Sequence, residues 1–99
     1  MPYQEQISTE IAEDTDVTEL NSPTFQLIVW NDEVNTFDWV IKALIDICQH
    51  DREQAEQCTI YIHFKGKYTV KEGDYDTLKT MRDGITDRGI GATVEEMVC

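Results

Sequence analysis

The sequence predicts a small α+β domain, in which a three-stranded antiparallel sheet packs against helices as a β-α-α-β-α-β sandwich. Segments rich in β-branched and aromatic residues alternate with segments of helical periodicity along the 99 residues. The chain has no GxGxxG phosphate-binding loop of the kind that opens a doubly wound parallel sheet. Hydrophobic residues make up 40% and charged residues 28%, which is typical of a globular protein.

The first strand and the first helix are the clearest elements. Residues 24–30 form a run of β-branched and aromatic residues that predicts a strand. From Phe37 to Cys48 apolar residues recur three and four positions apart, which predicts an amphipathic helix over about 36–49. Asn35 or Thr36 can cap its N-terminus.

The middle of the chain predicts a short helix followed by the second strand. Asp51 with Gln54 three residues later resembles a capping box, and we expect the helix that it opens to end near Gln57. Residues 59–65 alternate between apolar and polar side chains, which predicts a strand. Gly66 and the residue after it then turn the chain into an extended segment at 68–70.

The last part of the chain predicts a third helix and a final short strand. Asp74 can cap a helix whose apolar positions are Tyr75, Leu78, Met81 and Ile85, and Gly89 ends it. The segment from about 90 to 95 completes the sheet.

The net charge of −12, from 20 acidic and 8 basic residues, argues against nucleic acid as a partner, because a phosphate backbone requires a basic surface. It suits a basic protein surface or a cationic ligand. Residues 1–23 contain six acidic residues and no Lys or Arg, with few apolar residues. We therefore expect a flexible acidic arm at 1–23 and a folded core domain at 24–99.

The cysteine pattern and the hydropathy bear on the cellular compartment. Cys48, Cys58 and Cys99 include no CxxC pair, and no secretory signal precedes them, so we expect reduced thiols in the cytoplasm. No apolar run approaches the roughly 18–20 residues that span a bilayer, and we expect no membrane partner.

The polar cluster at 31–36 contains residue types that can bind ions or take part in catalysis. A calcium loop fails, because Thr36 stands where an EF-hand has Gly and Lys42 where it has Glu. A thiol hydrolase using Cys58, His63 and Asp32 remains a distant alternative, since nothing in the sequence places an oxyanion hole. We expect neither a catalytic residue nor a metal or cofactor.

Two motifs of the chain carry a resemblance to a known family. The first is Asn-Asp-Glu at 31–33, after an apolar strand and before the helix that starts with Phe37, and the second is the segment 53–57 followed by Ile-His-Phe-Lys-Gly-Lys at 62–67. They are similar to the Asn-Asp-Asp motif and to the helix, Val-His and Gly-Lys segment of the ClpS family of adaptors, which deliver proteins with destabilising N-termini (N-degrons) to a Clp protease. The resemblance covers about 25–95, and residues 34–37 look like the variant seen in Bacteroidetes members.

The resemblance implies a non-enzymatic receptor for a free N-terminus with a bulky hydrophobic first residue. The α-amine would be bound by Asn31, Asp32 and His63, which all offer acceptor atoms to a cation. The first side chain would enter a pocket formed by Trp30, Asn35, Phe37, Thr59, Ile62 and Ile90. Phe37 and Thr59 stand where the family usually has Met, so the preferred first residues are open.

The resemblance also implies docking on the N-terminal domain of a Clp AAA+ ATPase, through Asp76 and Lys79 on the third helix. The arm at 1–23 resembles the extension that this ATPase engages. The main alternative is a protein–protein docking domain, like the C-terminal domain of the ribosomal stalk protein. That alternative predicts no peptide pocket and gives Asn31, Asp32 and His63 no shared task.

Overall fold

The computed structural model describes residues 24–97, which form a three-stranded antiparallel sheet and three helices. The expected α+β class and the order β-α-α-β-α-β are confirmed. The acidic arm at 1–23 and Cys99 lie outside the described residues. The elements in chain order are β1 Phe25–Trp30, α1 Phe37–Cys48, α2 Arg52–Lys65, β2 Lys67–Gly73, α3 Tyr75–Asp87 and β3 Ala92–Glu96.

Strand β1 lies in the centre of the sheet, between β2 and β3, and is antiparallel to both. Because successive side chains of a strand point to opposite faces, Leu27 and Val29 share one face. Both are fully buried in the core that the helices complete. Of the three helices between Phe37 and Asp87, none is long and apolar enough to cross a bilayer.

Helix α1 begins where its cap predicts. The hydroxyl of Thr36 accepts a hydrogen bond from the backbone N–H of Trp39 at 3.1 Å. Val40, Leu44 and Cys48 are buried, so the amphipathic stripe faces the sheet. The helix ends at Gln49, whose φ of 60° reverses the chain and leads it towards α2.

The prediction of a strand at 59–65 is wrong, because α2 continues to Lys65. Its cap, Asp51, accepts a hydrogen bond from the N–H of Gln54 at 2.7 Å, as expected. The buried side chains of α2 recur at helical spacing, which the β-branched residues obscured: Ala55, Cys58, Thr59 and Ile62. Burial of this stripe outweighs the local preference of Ile and Tyr for strands.

The second strand therefore lies later in the chain than predicted, at Lys67–Gly73. Gly66 separates it from α2 with a φ of 87°, a conformation that favours glycine. Helix α3 is capped by Asp74 as expected, and its side chains Leu78 and Ile85 are buried. Strand β3 starts only at Ala92.

His50 connects the end of α1 to β2 from inside the protein. It is 4% exposed, and its Nε2–H donates to the carbonyl of Val70 at 2.9 Å. Its Nδ1 is buried and has no hydrogen-bond partner among the described residues. Burial lowers the pKa of His50, so the folded protein holds the ring neutral.

We expect this buried ring to make the protein less stable in mild acid. An unfolded His titrates near pH 6.5, so below about that pH the unfolded chain binds a proton that the folded chain takes up less readily. The free energy of unfolding should therefore fall from about pH 6.5 downwards, by at most about 1.4 kcal/mol per pH unit. Urea unfolding between about pH 5 and 7.5 measures this slope.

The matched variants are His50→Gln, which cannot titrate, and His63→Asn, which removes the chain's other imidazole. The slope should flatten in His50→Gln even if that variant is less stable at every pH. It should persist in His63→Asn. An unchanged slope in His50→Gln would contradict this role of His50.

Candidate functional site

The loop that follows β1 is held from two sides. The backbone N–H of Trp30 donates to the carbonyl of Gly91, and the N–H of Asn31 donates to the carbonyl of Gly66, both at 2.9 Å. The first bond joins the loop to the entry of β3 and the second joins it to the end of α2. The loop therefore starts beside the last turn of α2, which carries His63.

Asp32 organises this loop through its carboxylate. Oδ1 accepts hydrogen bonds from the backbone N–H groups of Val34 at 2.9 Å and Asn35 at 2.8 Å, and Oδ2 accepts from the Asn35 amide at 2.8 Å. The backbone N–H of Asn35 is the main reason why the pKa of Asp32 is lowered. The carboxylate is thus negatively charged at neutral pH, and it forms the Asx turn that precedes α1.

Asn35 connects this turn to a segment that is distant in the sequence but adjacent in space. Its amide nitrogen also donates to the carbonyl of Gly89 at 2.9 Å, in the loop between α3 and β3. The indole N–H of Trp39 donates to the neighbouring carbonyl of Arg88, at 2.9 Å. Two side chains thus attach the first loop and α1 to the segment that follows α3.

A cavity of about 410 Å³ opens between this loop, the start of α1 and the last turns of α2. It brings together seven of the residues named from the sequence: Asn31, Asp32, Asn35, Phe37, Thr59, Ile62 and His63. Its lining also contains three residues that the sequence reasoning missed, namely Glu33, Thr36 and Val40. Val40 lies three positions after Phe37, and the helical periodicity of α1 could have indicated it.

The correction of 59–65 from strand to helix explains how α2 lines this cavity. In a strand Thr59 and His63 would share one face and Ile62 would point to the other. In a helix the three lie at positions i, i+3 and i+4, on one face. Thr59, Ile62 and His63 therefore all line the same cavity.

The cavity is apolar inside and polar at its rim. Val40 and Ile62 are buried aliphatic residues. Thr59 is 2% exposed, and its hydroxyl donates to the carbonyl of Ala55 at 2.8 Å, so the helix backbone satisfies this group. Phe37 is 43% exposed and its ring meets that of His63 edge to face, with centroids 5.2 Å apart.

Two residues expected in the pocket do not line this cavity. The indole N–H of Trp30 donates to the hydroxyl of Thr93 at 3.0 Å, and the Lys67 ammonium lies 4.8 Å from the ring centre. Ile90 is 2% exposed and belongs to the core. Trp30 and Ile90 are therefore not among the residues that line the cavity.

Asp76 and Lys79 lie on the exposed surface of α3, three positions apart and so on one side of the helix. The Lys79 ammonium is 3.7 Å from the carboxylate of Asp83. Both side chains are accessible to a partner protein.

The family profile described as "ATP-dependent Clp protease adaptor protein ClpS" matches residues 21–93, which is most of the chain. This protein belongs to the ClpS family. A ClpS from Oleidesulfovibrio alaskensis is 40% identical over 58 residues, covering 54% of this chain and 56% of that protein. A ClpS from Rhodococcus opacus is 24% identical over 95 residues, covering 96% and 85%.

A solved structure supports the same fold. Agrobacterium tumefaciens ClpS2, bound to L-phenylalaninamide, superposes with a TM-score of 0.73 at 17% identity, covering 76% of this chain and 98% of that one. The fold resemblance thus extends over nearly the whole of that ClpS2 chain.

Asp32 accepts three hydrogen bonds within the loop that follows β1. We therefore expect Asp32→Ala to lower the free energy of unfolding by about 1–2 kcal/mol at neutral pH. Since the pKa of Asp32 is lowered in the folded state, this contribution is present above about pH 3.8 and is lost as the pH falls further. Urea unfolding at about pH 7 and pH 3 measures both effects.

Glu33→Ala is the matched control, because it removes the adjacent exposed carboxylate, which accepts no hydrogen bond within residues 24–97. It should change the free energy of unfolding by less than about 0.5 kcal/mol. Equal losses in the two variants would show that the Asx turn does not stabilise the loop.

Proposed function

We propose that this protein is a non-enzymatic adaptor, which binds proteins through a free N-terminus with a bulky hydrophobic first residue and delivers them to a Clp AAA+ ATPase–protease. The observation that carries the proposal is the joining, in one cavity, of polar acceptors at the rim and apolar side chains inside. Such a cavity matches the two features of an N-terminus that begins with Leu or Phe, a compact cation beside an apolar group.

The polar rim supplies what an α-ammonium group requires. Asn31 contributes an amide oxygen and His63, when neutral, a ring nitrogen that can accept a hydrogen bond. A carboxylate has about four acceptor positions, and Asp32 uses three of them within the loop. Asp32 therefore attracts the ammonium group chiefly by its charge, with at most about one further hydrogen bond.

The apolar part of the cavity supplies the second requirement. Burying a Leu or Phe side chain contributes about 1.5–3 kcal/mol. Val40 and Ile62 provide the apolar contact, and Phe37 at the opening narrows the entry with a rigid ring. Thr59, with its hydroxyl already bonded, leaves more room than Met would, which favours large first residues.

Two alternatives explain less of the structure. A docking domain of the ribosomal-stalk kind gives no shared task to Asn31, Asp32 and His63, which meet at one cavity. A thiol hydrolase needs an accessible thiolate, but Cys58 is buried, and burial raises the pKa of its thiol.

Agrobacterium ClpS2 was solved with L-phenylalaninamide, a small molecule with a free amine beside a benzyl group.

The direct test compares a fluorescent peptide that begins with free Leu with the same peptide acetylated at its N-terminus. Acetylation removes the charge of the amine and leaves one of its three N–H donors, which costs about 2–5 kcal/mol when a charged pair is broken, or about 30-fold or more in Kd. Fluorescence anisotropy with the full chain measures both values. A peptide that begins with free Ser tests the contribution of the first side chain, and it should bind more weakly than the free Leu peptide because Ser buries little apolar surface.

Asn31→Ala should bind the free Leu peptide at least about tenfold more weakly, with the acetylated peptide unchanged. Equal affinity of the wild-type protein for the free and acetylated peptides would refute the proposed recognition. Cleavage of the peptide would instead support the hydrolase.

Delivery requires a surface for the ATPase, and we propose that Asp76 and Lys79 on α3 belong to it. We expect Asp76→Lys and Lys79→Glu each to weaken binding to the N-terminal domain of a Clp ATPase by about tenfold or more. Each substitution reverses a charge, so that like charges would face each other across the interface with the ATPase. Surface plasmon resonance measures this loss.

Lys42→Glu is the matched control. Lys42 also lies on an exposed helix surface and pairs with an aspartate four residues later, as Lys79 does. It should leave ATPase binding unchanged, and all three variants should bind the free Leu peptide as the wild-type protein does. If Lys42→Glu weakened ATPase binding as much as Lys79→Glu, the effect would come from net charge and not from α3.

A further inference from the structure

Phe64 is the one described aromatic side chain that is left almost entirely in water. It is 78% exposed, whereas the other exposed aromatic residues of the described chain are between 38% and 43% exposed. An aromatic side chain buries a large apolar area when it finds a partner, so leaving it in water forgoes that stabilisation. The folded domain does not use Phe64 in its core.

The aromatic residues nearest to Phe64 in the sequence have partners within the domain. Tyr61 stacks on Tyr68 with centroids 4.8 Å apart, and the Lys65 ammonium lies 5.9 Å from the Tyr61 ring centre. Among the described aromatic rings, Phe64 pairs only with that of His63, edge to face at 5.1 Å. Most of its surface is therefore available to a ligand.

Phe64 is continuous with the proposed binding cavity. The ring of His63 pairs edge to face with Phe37 at 5.2 Å and with Phe64 at 5.1 Å, so His63 links the three rings. Phe37 and His63 line the cavity, and Phe64 is joined to that lining through its contact with His63. We call Phe37, His63 and Phe64 the aromatic row.

We propose that Phe64 binds the second side chain of the N-terminal segment and makes the protein prefer an apolar or aromatic residue at that position. This inference rests on the proposed recognition of a free N-terminus and adds a specificity-determining residue to it. The first residue enters the cavity, and the chain then leaves across the aromatic row.

Chain geometry supports this occupant. Consecutive Cα atoms are about 3.8 Å apart, so a ligand whose amine meets His63 places its second residue within one side-chain length of that ring. The centroid of Phe64 lies 5.1 Å from the same ring, and most of the Phe64 ring is exposed, so a second side chain near His63 is also within reach of Phe64. An aromatic second residue can thus pack on Phe64 while the first remains in the cavity.

The test uses two peptides that differ only at the second position, Leu-Phe-Ser-Gly-Ser and Leu-Ser-Ser-Gly-Ser, each with a C-terminal fluorophore. Anisotropy titrations use the full chain and its Phe64→Ser variant. We expect the wild-type protein to bind the Leu-Phe peptide about three- to tenfold more tightly than the Leu-Ser peptide. In Phe64→Ser the ratio should fall to about one, with the Kd for the Leu-Ser peptide unchanged.

Two further variants make the result specific. Phe64→Tyr keeps an aromatic ring and should retain the preference. Tyr75→Ser removes another exposed aromatic residue, at the start of α3, whose ring packs on Phe25. This variant should also retain the preference for the Leu-Phe peptide. Unchanged binding of the Leu-Ser peptide by Phe64→Ser shows in the same experiment that the variant is folded.

The inference is overturned if the wild-type protein binds both peptides equally, or if Phe64→Ser keeps the preference. It is also overturned if Phe64→Ser weakens both peptides alike, since Phe64 would then act through His63. Light scattering that shows a dimer of the wild-type protein and a monomer of Phe64→Ser would assign the ring to a second copy. In all these cases acetylation can still abolish binding of the Leu-Ser peptide, so the proposed function is tested separately.

Discussion

The candidate site depends on one backbone hydrogen bond, from the N–H of Asn31 to the carbonyl of Gly66. This bond attaches the residue after the central strand to the residue after α2. It brings the polar loop, whose acceptors come from Asn31 and Asp32, beside the turn that carries His63. Gly66 suits this position because its φ of 87° ends the helix and directs its chain into β2.

The loop side chains that are proposed to bind a ligand also hold the loop in shape. Asp32 closes the turn before α1, and Asn35 links that turn to Gly89 in the loop between α3 and β3. A binding group that is already hydrogen-bonded does not have to be ordered when the ligand arrives, and this reduces the entropy cost of association. The same bonds leave Asp32 little capacity for further hydrogen bonds. Its negative charge is therefore its main contribution to the proposed binding of an α-ammonium group.

Helix α2 gives the domain two different surfaces. Its inner stripe, which includes Cys58 and Ile62, belongs to the core. Its last turns place Thr59 and His63 at the cavity and leave Phe64 in water. The core packing and the proposed ligand recognition therefore use neighbouring positions of one helix, separated by rotation about its axis.

The sequence by itself determined the features that depend on neighbouring residues. The caps at Thr36, Asp51 and Asp74 and the order of elements were predictable, since a capping side chain bonds to an N–H only a few residues away. Asn31 and His63 were named as candidate binding residues from motifs that resemble the ClpS family, and both line the cavity.

Only the tertiary structure decided that 59–65 is helical and where its side chains lie. Alternation of Ile, Tyr and Phe favours a strand locally, but Thr59 and Ile62, three residues apart and both buried, lie on one face only in a helix. The exclusion of Trp30 and Ile90 from the cavity lining also depends on distant contacts, with Thr93 and with the core. Burial is a property of surfaces that meet in space, and no local pattern specifies which surface a residue will meet.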